Sequence, residues 1–112
     1  MLKVEWSVDG GWGAPAIVPS GPVGLHPFAH VFHYAVECYE GMKAYVDSND
    51  RVRLYRPQMN MERFRTSAGR MSLPDFNGGE LLKCIERLVD LDKDWIPKKR
   101  GYSMYLRPVI FS

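Results

Sequence analysis

Between positions 10 and 27 the chain places nine glycines and prolines: Gly10, Gly11, Gly13, Pro15, Pro19, Gly21, Pro22, Gly24 and Pro27. Proline lacks a backbone donor and glycine is costly to order, so no regular helix runs through such a stretch. Trp12, Ile17, Val23, Leu25 and Phe28 are interleaved with these breakers, and they predict an irregular segment packed on a core rather than a disordered linker. Residues 1–30 therefore read as a Gly/Pro-rich lead-in, apart from a short strand at Leu2–Trp6. Regular structure has to come from residues further along the chain.

At 112 residues the chain has room for one hydrophobic core and no second complete domain. Its 46% hydrophobic and 25% charged residues are those of a globular protein. Fifteen basic and 13 acidic side chains are mixed along the sequence for a net charge of +2, which gives no dominant attraction to nucleic acid or membrane. No apolar run approaches a membrane span, and Met1–Trp6 lacks the layout of a signal peptide, so an intracellular location is expected. Cys38 and Cys84 stand far apart without metal-ligand spacing and are expected to be free, buried thiols.

Met42–Val46 and Arg51–Tyr55 are strand-like runs joined by Asp47, Ser48, Asn49 and Asp50, all turn formers, and they predict a hairpin with Val52 and Leu54 on one face. Pro57 suits the first turn of a helix. Beyond it Met61, Phe64, Ala68 and Met71 recur at helical spacing opposite Arg63, Arg65 and Arg70, and Pro74 bounds the helix. Asn77 and Glu80 have the spacing of a capping box, with Phe76 and Leu81 placed as a hydrophobic staple. Leu81, Leu82, Ile85, Leu88 and Val89 then form a wide apolar face, which Trp95 should extend up to Pro97. Lys98, Lys99 and Arg100 form a solvated basic loop, and Tyr102–Phe111 reads as a strand troubled by Pro108. The fold class expected is α+β, a small domain with a β-hairpin, further strands and two packed amphipathic helices.

Few residues declare chemistry unaided. Arg63 is either a surface cation or a phosphate ligand through paired hydrogen bonds. Strand alternation sets Arg107 on the same face as Tyr105, where the two suit a carboxylate or simply a cation stacked on a ring. His30 and His33 lack a third ligand, so no metal site is expected. Cys38 does not supply one, and Glu40 reads as a solvated glutamate. No nucleophile motif or phosphate-binding glycine loop is present. A nucleic-acid reading of Arg63, Arg65 and Arg70 lacks any recognised module.

A family comes into view at His33-Tyr34-Ala35-Val36-Glu37-Cys38-Tyr39-Glu40-Gly41-Met42-Lys43-Ala44-Tyr45, which resembles a segment of the branched-chain amino acid aminotransferases. Arg53–Arg63, Leu81–Pro97, Ser103–Pro108 and the opening Met1–Trp6 with Gly11-Trp12 are similar to further segments of that family, in order. The resemblance implies the N-terminal, small-domain part (1–112) of a homodimeric fold type IV enzyme. Such enzymes use pyridoxal 5'-phosphate to move an amino group between leucine, isoleucine or valine and 2-oxoglutarate, giving glutamate and branched 2-oxo acids. Arg63 matches the arginine that holds the cofactor phosphate. Tyr105 and Arg107 match residues that receive the side-chain carboxylate of glutamate. Tyr34 and Tyr39 match aromatic positions of the substrate pocket, with Tyr34 serving the pocket of a dimer partner.

Two departures qualify the likeness. Tyr39 stands where the family usually has phenylalanine, and its hydroxyl needs a partner if it is buried. None of the six lysines, Lys3, Lys43, Lys83, Lys93, Lys98 and Lys99, matches the lysine that the family attaches to its cofactor. That lysine belongs to the large cofactor domain, absent from this sequence. No catalytic residue is therefore assigned here, and the segment alone is expected to be inactive. The alternative reading is a truncated, noncatalytic module that associates with a full-length subunit.

Overall fold

The computed structural model describes residues 1–112 as antiparallel strands packed against two long helices. The lead-in is more ordered than its composition predicts. In place of one strand over Leu2–Trp6 it forms β1 (Leu2–Lys3) and β2 (Trp6–Ser7), paired respectively with β4 (Ala16–Ile17) and β3 (Gly11–Trp12). Gly11 has φ 65°, a left-handed turn that glycine adopts without a Cβ clash. The packing expected of this segment is partial. Trp12 donates its indole N–H to the Asp75 carbonyl at 2.7 Å and sets its ring edge-on to Phe76, whereas Val23, Leu25 and Phe28 face solvent.

Downstream, α1 (His30–Tyr34) ends on Ala35, whose φ of 50° reverses the chain into β5 (Glu37–Tyr39). The expected hairpin is present as β6 (Met42–Val46) and β7 (Val52–Leu54). Its turn is closed by Asp47, whose carboxylate accepts from the backbone N–H groups of Asn49 and Arg51 and from the Arg51 and Arg53 side chains. Arg56, at φ 48°, then swings the chain into α2 (Pro57–Arg70), with Pro57 at its start. Met61, Phe64 and Ala68 are buried along α2, as the spacing predicts.

Helix α3 (Gly78–Leu91) begins where expected, with the Asn77 side chain accepting from the Glu80 N–H at 3.1 Å. Only half of the capping box is made, because the Glu80 carboxylate turns outward to Lys83. Phe76 and Leu81 both pack on the core cluster of Phe64, Ala68, Leu73 and Ile110, as a staple should. Trp95 does not extend the apolar face. It lies in a 3-10 turn (Lys93–Trp95) at 80% exposure, and its neighbour Ile96 fills the core. The tighter turn rotates the chain out of the helical phase, so the side chain that points inward is one residue later than expected.

The C-terminal strand is divided into β8 (Met104–Leu106), paired with β6, and β9 (Val109–Phe111), paired with β5. The register does not shift between the two ladders. Tyr39 opposes Val109, Met42 opposes Leu106, and the pairs between them are Glu40 with Pro108 and Gly41 with Arg107. Glu40 donates its N–H to the Pro108 carbonyl at 2.9 Å, but Pro108 has no N–H to return. One antiparallel ribbon is thus interrupted at a single rung. Met42 and Ala44 on its inward face join Met61, Leu82, Ile85, Val89 and Ile96 in the larger core cluster.

Candidate functional site

The interrupted rung gathers most of the residues that the sequence singles out. Because strand side chains alternate, Tyr39, Gly41 and Lys43 share one face of the ribbon with Arg107 and Tyr105, while Cys38, Glu40, Met42 and Ala44 share the other. On the outward face Arg107 is bracketed by aromatics. Its guanidinium carbon is 4.5 Å from the centre of the Tyr39 ring and 5.4 Å from that of Tyr105, within the range of a cation–π contact. The Tyr105 phenol beside it pushes the Arg107 guanidinium up from its ordinary pKa, with Tyr39 adding to the effect. A cation with exposed phenols on either side has the chemistry that a carboxylate ligand would need.

Gly41 makes room for this arrangement. A Cβ built there would lie 2.6 Å from the Tyr105 hydroxyl oxygen, so the phenol occupies the space that any larger residue would claim. The Gly41 carbonyl also accepts from the Asn60 side chain at 3.1 Å, which ties the rung to the first half of α2.

The inward face corrects one expectation. Glu40 is 5% exposed, not solvated, and the alternation that buries Met42 and Ala44 buries it as well. One α2 side chain answers its charge: Arg63 Nε donates to Oε2 at 2.7 Å and Nη2 to Oε1 at 2.5 Å. The Gly41 N–H adds a third bond, to Oε1, at 2.7 Å. Arg63 above all, then the Gly41 N–H and Asn60, holds the Glu40 carboxyl below its ordinary pKa against the opposing effect of burial. Arg63 itself is 66% exposed. Its remaining N–H groups, two on Nη1 and one on Nη2, are not spent on Glu40.

Tyr34 stands apart. It lies at the end of α1, 75% exposed, with the His30 and His33 rings as its aromatic neighbours, and no hydrogen bond or ring contact joins it to Tyr39, Tyr105 or Arg107. The α1 segment is held to the chain end, where Val31 donates its N–H to the Ser112 carbonyl and His30 Nδ1 lies 3.2 Å from the Ser112 hydroxyl. No group of histidine, cysteine and acidic residues assembles as a metal site. The thiols are free but only half-buried, and burial, with the Glu37 charge adding to it, pushes the Cys38 thiol up in pKa. Tyr39 is also exposed, so its hydroxyl faces solvent and needs no buried partner.

The residues fit the phosphate of pyridoxal phosphate to a limited degree. Arg63 offers a charged donor fork of the right chemistry, and the other donors of a full phosphate cradle are not among its neighbours. Lys43 shares the outward face as the cross-strand partner of Tyr105, but no lysine joins the hydrogen-bonded group around Glu40.

No protein-family model matches the chain. It is 56% identical over 108 residues to a branched-chain-amino-acid aminotransferase of Monosiga brevicollis, covering 96% of this chain and 28% of that protein. The enzyme of the same name from Dictyostelium discoideum is 50% identical over 112 residues, covering 100% and 30% of the two chains. A mitochondrial form from Bos taurus is 50% identical over 110 residues, covering 98% and 28%. The chain thus spans less than a third of the length of these relatives. Its fold matches a crystal structure of an Escherichia coli branched-chain amino acid aminotransferase with a TM-score of 0.64 at 24% identity, covering 79% of this chain and 27% of that one.

Proposed function

The chain belongs with the N-terminal part of the branched-chain amino acid aminotransferases, and from that premise we propose that it supplies cofactor and substrate contacts to a pyridoxal-phosphate enzyme. The reaction would move an amino group between leucine, isoleucine or valine and 2-oxoglutarate. The observation that carries this reading is the setting of Arg107 between Tyr39 and Tyr105, exposed on the outward face of the ribbon.

Bound pyridoxal phosphate would supply an electron sink at which the amino group is exchanged. Arg63 would hold its phosphate through the N–H groups that Glu40 leaves free. Arg107 and the Tyr105 hydroxyl would receive the side-chain carboxylate of glutamate or 2-oxoglutarate, while the Tyr39 ring gives the same pocket an apolar wall for a branched side chain. One pocket would thereby admit a charged and an uncharged side chain in alternate half-reactions. Tyr34, remote from this group, would line the pocket of a second subunit in a homodimer. The small domain described here would be completed by a larger cofactor domain that provides the attachment lysine.

Assay of the complete subunit with each branched-chain amino acid and 2-oxoglutarate tests the reading. Conversion of leucine, isoleucine and valine is expected. Activity on D-alanine with none on those three would move the chain to another specificity among enzymes of this fold type.

A further inference from the structure

We propose that Glu40 is a positioning residue for the cofactor phosphate, acting entirely through Arg63; the inference rests on the reading of Arg63 as a phosphate ligand. Glu40 lies on the core face of the ribbon, 5% exposed, at the one rung where the ladder is broken. Three donors fix its carboxylate. Two of them are the Nε–H and Nη2–H of Arg63, whose inner edge the carboxylate thereby clamps, and the third, the Gly41 N–H, locks the carboxylate to its own backbone turn. The guanidinium is therefore fixed in plane and direction from its inner edge, while its outer edge is presented to solvent.

A solvated arginine on a helix samples many rotamers and loses that freedom when an anion binds. An arginine already held at two points has lost it in folding. The partner's negative charge lowers the long-range pull on a dianion, so the clamp trades charge for direction. A role in charge alone would be served better by no carboxylate at all. A role in stability alone would be served as well by an apolar residue at this buried position, since a carboxylate taken out of water must first recover its desolvation cost. The combination of a buried carboxylate with an exposed guanidinium fits orientation.

The test compares pyridoxal phosphate with pyridoxal, which lacks the phosphate, as ligands of the complete apo-subunit, with dissociation constants read by equilibrium dialysis. The ratio of the constant for pyridoxal to that for pyridoxal phosphate isolates the phosphate contribution. Arg63→Ala and Glu40→Gln are each expected to lower that ratio by about tenfold or more, the scale of one charge-assisted hydrogen bond. The double variant should lower it no further than Arg63→Ala, because both changes remove one device. A ratio lowered by Arg63→Ala but unchanged or raised by Glu40→Gln overturns the proposal and leaves Glu40 a structural clamp. A ratio untouched by Arg63→Ala overturns the phosphate reading beneath it. Glu40→Asp keeps the charge but withdraws the carboxylate by one methylene, and supplies the same test should Glu40→Gln not fold. Its ratio is expected to fall about threefold or more, and an unchanged ratio again overturns the proposal.

Discussion

The two faces of the ribbon formed by residues 37–46 and 104–111 are made by the same strands in the same register, yet they do different work. Inward, Met42 and Ala44 are buried in the core and Glu40 is clamped by Arg63. Outward, Tyr39, Tyr105 and Arg107 are exposed and touch chiefly one another. Neighbouring residues thus fall under opposite constraints: position 42 is constrained by packing and position 41 by the reach of a phenol. A change on one face should register as lost stability and on the other as altered ligand selection.

Ala44→Asp should give the largest effect. Ala44 is wholly inaccessible, and an unpaired carboxylate there costs at least several kcal/mol, enough to leave little soluble, cooperatively melting protein. A well-folded Ala44→Asp subunit would show that the inward face is not the core. Arg107→Leu, by contrast, should leave the melting curve nearly unchanged. In the complete enzyme it should lower kcat/KM for glutamate or 2-oxoglutarate by about tenfold or more relative to leucine in its own half-reaction. Equal losses for all substrates would erase the division between the faces.

Gly41→Ala sharpens the comparison, because its added methyl projects outward. The Tyr105 hydroxyl lies at the free end of its side chain, so the ring can swing aside, and about 1 kcal/mol or less of stability should be lost. Tyr105 would leave its place beside Arg107, which a crystal structure or a weakened affinity for the dicarboxylic substrate would reveal. The smallest effect concerns acid. The Glu40 carboxyl is held below its ordinary pKa, so it contributes stability above about pH 4.3 that is lost as the pH falls through its folded value. Glu40→Gln should flatten this acid limb in a denaturation series. A limb of unchanged steepness would assign it to other carboxylates, such as Asp75 beside Arg65.

The parts legible in the sequence are those whose signals are local. Asn77 announces the start of α3, Pro57 that of α2, and the polar run Asp47–Asp50 the hairpin turn. Trp95 misleads because one 3-10 turn changes the helical phase, which apolar periodicity cannot register. The lead-in hides four two-residue strands, each too short to show alternation. Arg107 and Tyr105 are legible as a pair because they are two residues apart. Glu40 with Arg63 is not, since 23 positions separate them and the pairing exists only once α2 lies on the ribbon. A signal is nonetheless present: counting inward positions from Met42 places Glu40 on the buried face, and a buried carboxylate demands a cation.

Pro108 puts a weak seam across an otherwise continuous sheet. Glu40 gives its amide to that rung and receives none in return, so the ladder of β5 with β9 and the ladder of β6 with β8 are coupled less tightly than adjacent rungs would couple them. Local opening in proteins follows such boundaries. Were the seam to open, the outer arm, which packs through Cys38 and Ile110 on Phe64 and Ala68 of α2 and carries α1 at its end through Ser112, would part as a unit and leave the inner arm in the core with Leu82, Ile85 and Val89 of α3. Amide protons of Cys38 and Ile110 would then exchange with solvent sooner than those of Ala44 and Met104. A residue selected against in most strands thereby divides one sheet into two tiers of persistence, and the face that carries Tyr39, Tyr105 and Arg107 lies across their border.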